Sequence, residues 1–201
     1  SNPTSREDRK IGSIGFPVPS TDVKIVDLDT GVKELSQGED GEIAINGPQV
    51  MQGYWTKPDA NNEVFREIGG KRYFLTGDIG HIDDDGYILI TDRKKDLIIV
   101  GGFNVYPREV EDILFTHPKV ALAAVVGVPD AKSGEFAQAY SQLKPGESAT
   151  EEEITTICKE NMAGYKRPRV IEFRDEVPVS NVGKVLRRVL RDEEIEKQKN
   201  Q

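Results

Sequence analysis

Apolar and polar residues alternate over short stretches in the first half of the chain. This period of two is typical of β-strands, in which successive side chains point to opposite faces. Strands are predicted at residues 23–28, 32–35, 41–45, 72–75, 79–82 and 87–91. Tight turns are predicted at residues 29–31 and 84–86, and one or two helical turns at residues 57–65. Short strands at this close spacing indicate a small β-barrel or a curled sheet.

Beyond this β-rich block, strands alternate with helices. Pro107 suits the first position of one helix, and Thr150 with Glu153 matches the capping box of a second. A third helix is predicted to begin near Lys184. Strands are predicted at residues 97–100, 120–128, 138–143 and 170–173. The order β-α-β-β-α-β-α predicts a compact α+β domain of about 110 residues, which meets the β-rich block near Asp92.

Composition and charge exclude several classes of protein. The chain has 201 residues, 31% charged and 36% hydrophobic, which is a soluble globular composition. Its net charge of −8 argues against a nucleic-acid-binding surface. The single cysteine, Cys158, cannot form an internal disulfide, which fits a reducing, cytoplasmic compartment. Because His81 and His117 lie far from it in sequence, no metal site is predicted.

The longest apolar run, residues 120–128, is far shorter than the roughly 20 residues of a membrane-spanning helix. No transmembrane segment is therefore predicted, and peripheral membrane contact stays open.

Two short motifs in the β-rich block contain groups suited to a nucleotide. Asp78 follows Thr76-Gly77, and its carboxylate could accept two hydrogen bonds from a ribose diol. Its alternative role is to cap the turn. Arg93 could form paired hydrogen bonds to ribose or phosphate oxygens, or belong to a surface ion-pair cluster worth about 0–1 kcal/mol. Asp92 joins the two blocks and is a hinge candidate.

Two glycine-containing motifs follow in the second block. Gly101 and Gly102 come directly after an apolar strand, where they would let the backbone approach a ligand closely or form an ordinary turn. Gly183 precedes Lys184 before the last predicted helix, and a helix start favours anions. The alternative for Lys184 is a solvated surface lysine.

The order and spacing of these motifs resemble one family. It is the adenylate-forming superfamily of acyl-CoA synthetases, luciferase-like enzymes and peptide-synthetase adenylation domains, and the resemblance runs from about Ile11 to about Glu194. It is carried by residues 47–55 (GPQVMQGYW), 76–78 (TGD), 92–96 (DRKKD), 101–111 (GGFNVYPREVE) and 180–188 (SNVGKVLRR). Within the superfamily, the chain is most similar to bacterial long-chain fatty-acid CoA ligases, in residues 92–106, 164–168 (GYKRP) and 172–178 (EFRDEVP).

The resemblance implies a role for each candidate residue. Asp78 would bind the ribose hydroxyls with help from Arg93, Asp92 would be the hinge, and Lys184 would contact the α-phosphate and the attacking carboxylate. The implied CoA tunnel would be lined by Gly101, Gly102, Phe103 and Asn104, with Lys95 beside it.

The resemblance also implies a division of the chain and a set of substrates. Residues 1–91 would be the last, barrel-like subdomain of the large N-terminal region, residues 92–94 the hinge, and residues 95–201 the C-terminal lid. The family's phosphate loop, magnesium-binding glutamate and acyl pocket are not among these residues. ATP with Mg²⁺, CoA and a carboxylic acid would be substrates of the complete enzyme, with none held tightly by this chain.

The sequence is also compatible with three other functions. The chain could belong to an adenylation domain that loads a carrier protein, to a luciferase-like oxygenase, or to a lid that only binds or regulates. The enzymes differ in what reacts with the acyl-AMP, which is free CoA, the phosphopantetheine of a carrier protein, or oxygen.

Overall fold

The computed structural model describes residues 2–3 and 8–200 of the chain. The chain forms two compact units, an N-terminal unit, Ser1–Lys95, and a C-terminal unit, Asp96–Gln201. Each unit is built around its own β-sheet. The predicted α+β class is confirmed.

The N-terminal unit is a six-stranded antiparallel sheet with one short helix. Its strands are β1 Ser13–Gly15, β2 Asp22–Val26, β3 Gly41–Asn46, β4 Phe65–Ile68, β5 Lys71–Ile82 and β6 Ile88–Arg93, and the helix α1 spans Pro58–Val64. The strand order is β1-β6-β5-β3-β2, and β4 pairs with the start of β5. Among the described residues β1 and β2 do not pair with each other. The sheet is therefore open, which corrects the barrel-like prediction, since a barrel requires its first and last strands to pair.

Two strand predictions in this unit need correction. One continuous strand, β5, contains the two predicted strands at residues 72–75 and 79–82. Between them the register against β3 shifts, and Gly77 takes a positive φ of 74°. The glycine forms a bulge within the strand, not the turn that the sequence suggested. Predicted strand 32–35 is reduced to a single bridge between Val26 and Glu34. The Asp27 carboxylate accepts hydrogen bonds from the backbone N–H groups of Thr30 and Lys33 and holds this segment as a turn.

The C-terminal unit has a mixed five-stranded sheet with helices on both faces. Its elements in chain order are β7 Ile98–Val100, β8 Phe103–Val105, α2 Pro107–Phe115, β9 Val120–Asp130, β10 Gly134–Leu143, α3 Glu151–Asn161, β11 Val170–Phe173 and α4 Arg187–Lys199. The strand order is β11-β10-β7-β8, with β9 also paired to β10. Only the β10–β11 pairing is parallel.

Alternate side chains of β9 point to opposite faces of this sheet and build two apolar cores. Ala123 and Val125 pack on one face with residues of α2 and α3. Ala124 and Val126 pack on the other face with Leu190 of α4. The period-two alternation of a strand therefore fixes which helix covers which face.

Helix boundaries in this unit partly agree with the sequence. Pro107 occupies the first turn of α2, and Thr150 and Glu153 form the predicted capping box of α3 through two reciprocal hydrogen bonds of 2.7 and 3.2 Å. The last helix begins at Arg187, not near Lys184. Lys184 instead lies in a loop, because a bridge between Val179 and Val185 keeps the preceding chain extended.

Candidate functional site

In the N-terminal unit, Asp78 and Arg93 lie directly opposite each other on neighbouring strands. Asp78 of β5 is the cross-strand partner of Arg93 of β6. Nε of Arg93 lies 2.7 Å from Oδ1 of Asp78. The carboxylate is mostly buried, whereas the guanidinium is about half exposed. The sheet therefore brings together the two residues that the sequence singled out for a ribose.

The β5 bulge positions Asp78 through a short chain of hydrogen bonds. The Thr76 hydroxyl donates to the carbonyl of Ile43 at 2.9 Å, and its oxygen accepts from the backbone N–H of Asp78 at 3.1 Å. The backbone N–H of Gly77 donates to Oε1 of Glu42 at 3.1 Å. These bonds replace the ladder bonds that a bulge interrupts, and they hold the backbone at Asp78, whose carboxylate contacts Arg93.

The residues on either side of Arg93 in the chain are held to different degrees. Asp92 is buried within β6, and its carboxylate accepts the backbone N–H of Arg93 at 2.7 Å. Nζ of Lys94 pairs with the buried carboxylate of Glu42 at 2.8 Å. Lys95 is exposed in the 3-10 turn Lys94–Asp96. The hinge role of Asp92 stays a prediction, and the two units divide after Lys95.

Gly101 and Gly102 form the two-residue turn of the β7–β8 hairpin. Their φ angles are 58° and 84°, and Val100 pairs with Phe103 across them. Two successive positive φ angles define the hairpin turn whose twist matches that of the strands, and glycine adopts them without strain. Strand β8 was not predicted from the sequence, which indicated only a turn here.

The exposed tip of this hairpin is next to an aromatic ring that the sequence analysis did not single out. Phe103 stacks on Tyr165, with ring centroids 4.7 Å apart. Nζ of Lys166 pairs with Glu109 at 2.6 Å, and Asn104 is exposed. Backbone of the two glycines, an aromatic pair and the Lys166–Glu109 ion pair therefore lie at or next to the tip. The GYKRP stretch supplied the resemblance, but no local pattern places its tyrosine against Phe103.

Lys184 is presented on a tight loop between the last strand and α4. The backbone N–H of Ser180 donates to the carbonyl of Lys184 at 2.7 Å, and the backbone N–H of Gly183 donates to the carbonyl of Ser180 at 2.8 Å. Gly183 has a φ of 76°, which the loop needs to close. Within residues 2–3 and 8–200, the Lys184 ammonium has no hydrogen-bond or ion-pair partner, and the residue is exposed.

A buried polar network attaches α4 to the sheet. Tyr140 donates to Glu194 at 2.8 Å and accepts from Gln138 at 3.0 Å. Burial raises the pKa of Tyr140, and the hydrogen bond to Glu194 raises it further. Burial also acts to raise the pKa of Glu194, but hydrogen bonds from Lys197 and Tyr140 outweigh it and lower that pKa overall. Tyr140 therefore stays a donor and Glu194 an ionised acceptor.

The candidate residues fall into three groups with different chemistry. The Asp78–Arg93 pair can bind a diol, and the hairpin tip, residues 101–104, can lie close to an extended ligand. Lys184 supplies a positive charge that no described residue pairs with. No cluster of three or more His, Cys, Asp or Glu residues suited to a metal occurs in the described part of the chain. Likewise, none of the described helices is long and apolar enough to span a membrane.

Two family models match the chain. The AMP-binding enzyme model matches residues 1–55, and the AMP-binding enzyme C-terminal domain matches residues 109–184. Together with the close relatives described next, these matches show that the chain belongs to the family of AMP-binding, adenylate-forming enzymes.

Curated relatives and solved structures refine this assignment. The chain is 50% identical over 186 residues to a long-chain-fatty-acid–CoA ligase of Escherichia coli O157:H7, a match that covers 92% of the chain and 32% of the relative. It is 47% identical to the enzyme of that name from Bacillus subtilis, and this match covers 93% of the chain and 32% of the relative. The ATP-bound structure of MatB from Rhodopseudomonas palustris matches at 38% identity and a TM-score of 0.86. This match covers 92% of the chain and 36% of the MatB chain. The chain thus spans about a third of the length of the relatives it matches.

Proposed function

We propose that this chain is the C-terminal part of an AMP-forming acyl-CoA ligase that activates a fatty acid. The observation that carries the proposal is 47–51% identity, across more than nine-tenths of the chain, to several bacterial long-chain-fatty-acid–CoA ligases. The exposed Lys184 ammonium and the Asp78–Arg93 pair supply chemistry that fits it.

In the first half-reaction, a carboxylate oxygen attacks the α-phosphorus of ATP and pyrophosphate leaves. Both reactants are anionic, and further charge builds on the phosphoryl oxygens in the transition state. The Lys184 ammonium would stabilise that charge, while Asp78 accepts hydrogen bonds from the ribose hydroxyls and Arg93 assists. Because the ammonium has no ion-pair partner within residues 2–3 and 8–200, no ion pair in that part of the chain has to break first.

In the second half-reaction, the CoA sulfur attacks the acyl carbonyl, the thiol proton passes to solvent and AMP leaves. The hairpin tip of Gly101, Gly102, Phe103 and Asn104 would line the path of the pantetheine, with Lys95 near it. Residues 92–94 would act as the hinge between residues 1–91 and the lid, residues 95–201. Reorienting the lid between the half-reactions would withdraw Lys184 from the acyl-AMP and bring the hairpin to it. Because the acyl-AMP itself would not move, it would stay away from water.

The substrates would come together only in the complete enzyme. ATP with Mg²⁺, CoA and the fatty acid would be its substrates in the cytoplasm, with no role for nucleic acid, and peripheral contact with a membrane would supply an apolar substrate. The chain alone would hold none of these molecules tightly and would be inactive.

The decisive test uses the full-length protein that carries this chain. With MgATP, CoA and fatty acids of graded length, we expect release of pyrophosphate and AMP and formation of acyl-CoA. A matched structure at 38% identity is named an amide bond synthetase, from Marinactinospora thermotolerans, with a TM-score of 0.79. Amines and a carrier-protein phosphopantetheine must therefore be supplied as competing acceptors.

The acceptor dependence separates the alternatives. Product with an amine or a carrier protein but not with CoA would exclude a CoA ligase. Absence of pyrophosphate release with every acid would indicate a lid that only binds. Pyrophosphate release by the purified 201-residue chain would contradict the proposal that it is incomplete on its own.

A further inference from the structure

The loop that presents Lys184 is anchored at both ends. At its beginning, the backbone N–H of Leu186 donates to the carbonyl of Pro178 at 2.9 Å and closes the base of the loop. At its end, Arg187 is the first residue of α4. Lys184 is therefore only three residues before Arg187, so the position of Arg187 constrains the backbone from which the ammonium extends.

Arg187 forms a two-point ion pair with a buried carboxylate. Its Nε and one terminal nitrogen donate to the two oxygens of Glu111 at 3.0 and 2.6 Å. The Glu111 side chain is 8% exposed, and its Oε1 also accepts the backbone N–H of Val125 at 2.9 Å. Asp96 contacts the same guanidinium at 3.6 Å. Paired hydrogen bonds fix direction as well as distance, which a lysine at this position would not do.

The local sequence of α4 does not explain an arginine at this position. Helix N-termini favour acidic residues and side-chain caps, because free N–H groups and the helix dipole are positive there. The first turn of α4 has no acidic residue, begins with Arg187 and Arg188, and has no side-chain cap at Leu186. These cations disfavour the helix start, and the ion pair of Arg187 with Glu111 offsets that cost.

We propose that Arg187 and Glu111 are positioning residues that hold Lys184 where it contacts the α-phosphate. Glu111 lies on α2, which follows the Gly101–Gly102 hairpin and β8 directly. The ion pair therefore connects the segment of the adenylating lysine with the segment of the CoA-binding hairpin, both within the C-terminal unit. This inference rests on the proposed function and adds the residues that set its geometry.

The experiment measures the two half-reactions separately in the full-length protein. Arg187→Ala, Arg187→Lys and Glu111→Gln are compared with Lys184→Ala, using pyrophosphate exchange for adenylation and supplied acyl-AMP for thioester formation. The matched control is Arg191→Ala. Arg191 lies one turn further along α4 and pairs with Glu135 at 2.7 Å, so it also attaches α4 to the sheet but is remote from the loop.

A selective effect on adenylation is expected. Since a misplacement of about 1 Å can cost about 100-fold, Arg187→Ala should lower the adenylation rate about 10- to 100-fold and change thioester formation by less than about threefold. Arg187→Lys and Glu111→Gln should show smaller selective losses. Arg191→Ala should lower the melting temperature with no preference between the half-reactions.

The failures of the two proposals are distinguishable. If Lys184→Ala is selective for adenylation but Arg187→Lys and Glu111→Gln resemble Arg191→Ala, the positioning role is wrong and the proposed function stands. If Lys184→Ala affects both half-reactions equally, the assignment of the lysine is wrong. Should Arg187→Ala fail to fold, Arg187→Lys and Glu111→Gln decide the question, because they preserve charge or shape.

Discussion

The Asp78–Arg93 pair and Lys184 place charged groups in opposite ways. Asp78 and Arg93 face each other on paired strands, and the backbone around Asp78 is held by hydrogen bonds to Thr76 and Glu42. Lys184 extends from a loop, and its ammonium has no partner among residues 2–3 and 8–200. One site is organised before a ligand arrives, whereas the other keeps its charge available.

The difference follows from what each group would do in the proposed reaction. The nucleotide stays bound through both half-reactions, so a preorganised ribose site is useful throughout. The lysine acts only while adenylate forms, and a strong protein partner would compete with the phosphate. The loop backbone therefore sets its position while its side chain stays free. Four predictions test this contrast, from the largest expected effect to the smallest.

Replacing Lys184 should affect catalysis without affecting stability. In the full-length protein, Lys184→Ala should lower the adenylation rate by about 10²–10³, the usual cost of losing one donor to transition-state charge. The melting temperature should be unchanged, because the exposed ammonium makes no hydrogen bond or ion pair with residues 2–3 and 8–200 that could be lost. A clear fall in melting temperature would show that the ammonium has a structural partner and would remove the contrast with Asp78.

Replacing Asp78 should affect both nucleotide binding and stability. Asp78→Ala should weaken ATP binding by about 1.5–3 kcal/mol, or roughly 10- to 100-fold in KM, because hydrogen bonds to a charged group are lost. The melting temperature should also fall slightly, since Arg93 loses a partner in a half-exposed pair worth about 0–1 kcal/mol. Calorimetric titration with AMP checks the first effect, and unchanged affinity would exclude Asp78 from the ribose site.

A substitution in the hairpin should give the opposite selectivity from Lys184→Ala. Gly102→Val forces a β-branched residue to a φ of 84°, which costs about 1–2 kcal/mol and displaces the hairpin tip. Thioester formation from supplied acyl-AMP should fall about tenfold while adenylation is retained. Gly146→Val is the control, because Gly146 is exposed with a φ of 80° and is open to a Cβ in the same way. Equal losses in both variants would mean that strain alone explains the effect.

The smallest effect concerns the attachment of α4 and its dependence on pH. The folded protein lowers the pKa of Glu194 from 4.5, so the ionised group stabilises the fold above that pH. This stabilisation is lost as the pH falls below about 4.5 and the carboxylate is protonated in the folded protein. Glu194→Gln should therefore reduce the urea midpoint at pH 7 and have less effect near pH 3. An equal reduction at both pH values would contradict a role for the charge.

The sequence alone determined the fold class, most of the elements and the identity of the candidate residues. Alternation of apolar residues located β3, and a continuous apolar run located β9. Pro107 and the Thr150 capping box located the starts of α2 and α3, because such signals act within a few residues. The order of motifs gave the family, which the comparisons confirm. Local signals were insufficient at Gly77, where a bulge replaced the expected turn. They also missed the bridge between Val179 and Val185, after which α4 begins only at Arg187.

Tertiary structure alone decided how the candidate residues are held. Nothing near Asp78 in sequence shows that Arg93 is its cross-strand partner, and no local pattern pairs Arg187 with Glu111, 76 positions away. The tertiary structure also decided that the sheet of the N-terminal unit is open, since closure depends on whether β1 and β2 pair. The physical reason is the same in each case. Pairing across a sheet or between a helix and another helix depends on register and packing between segments distant along the chain, which short-range propensities do not encode.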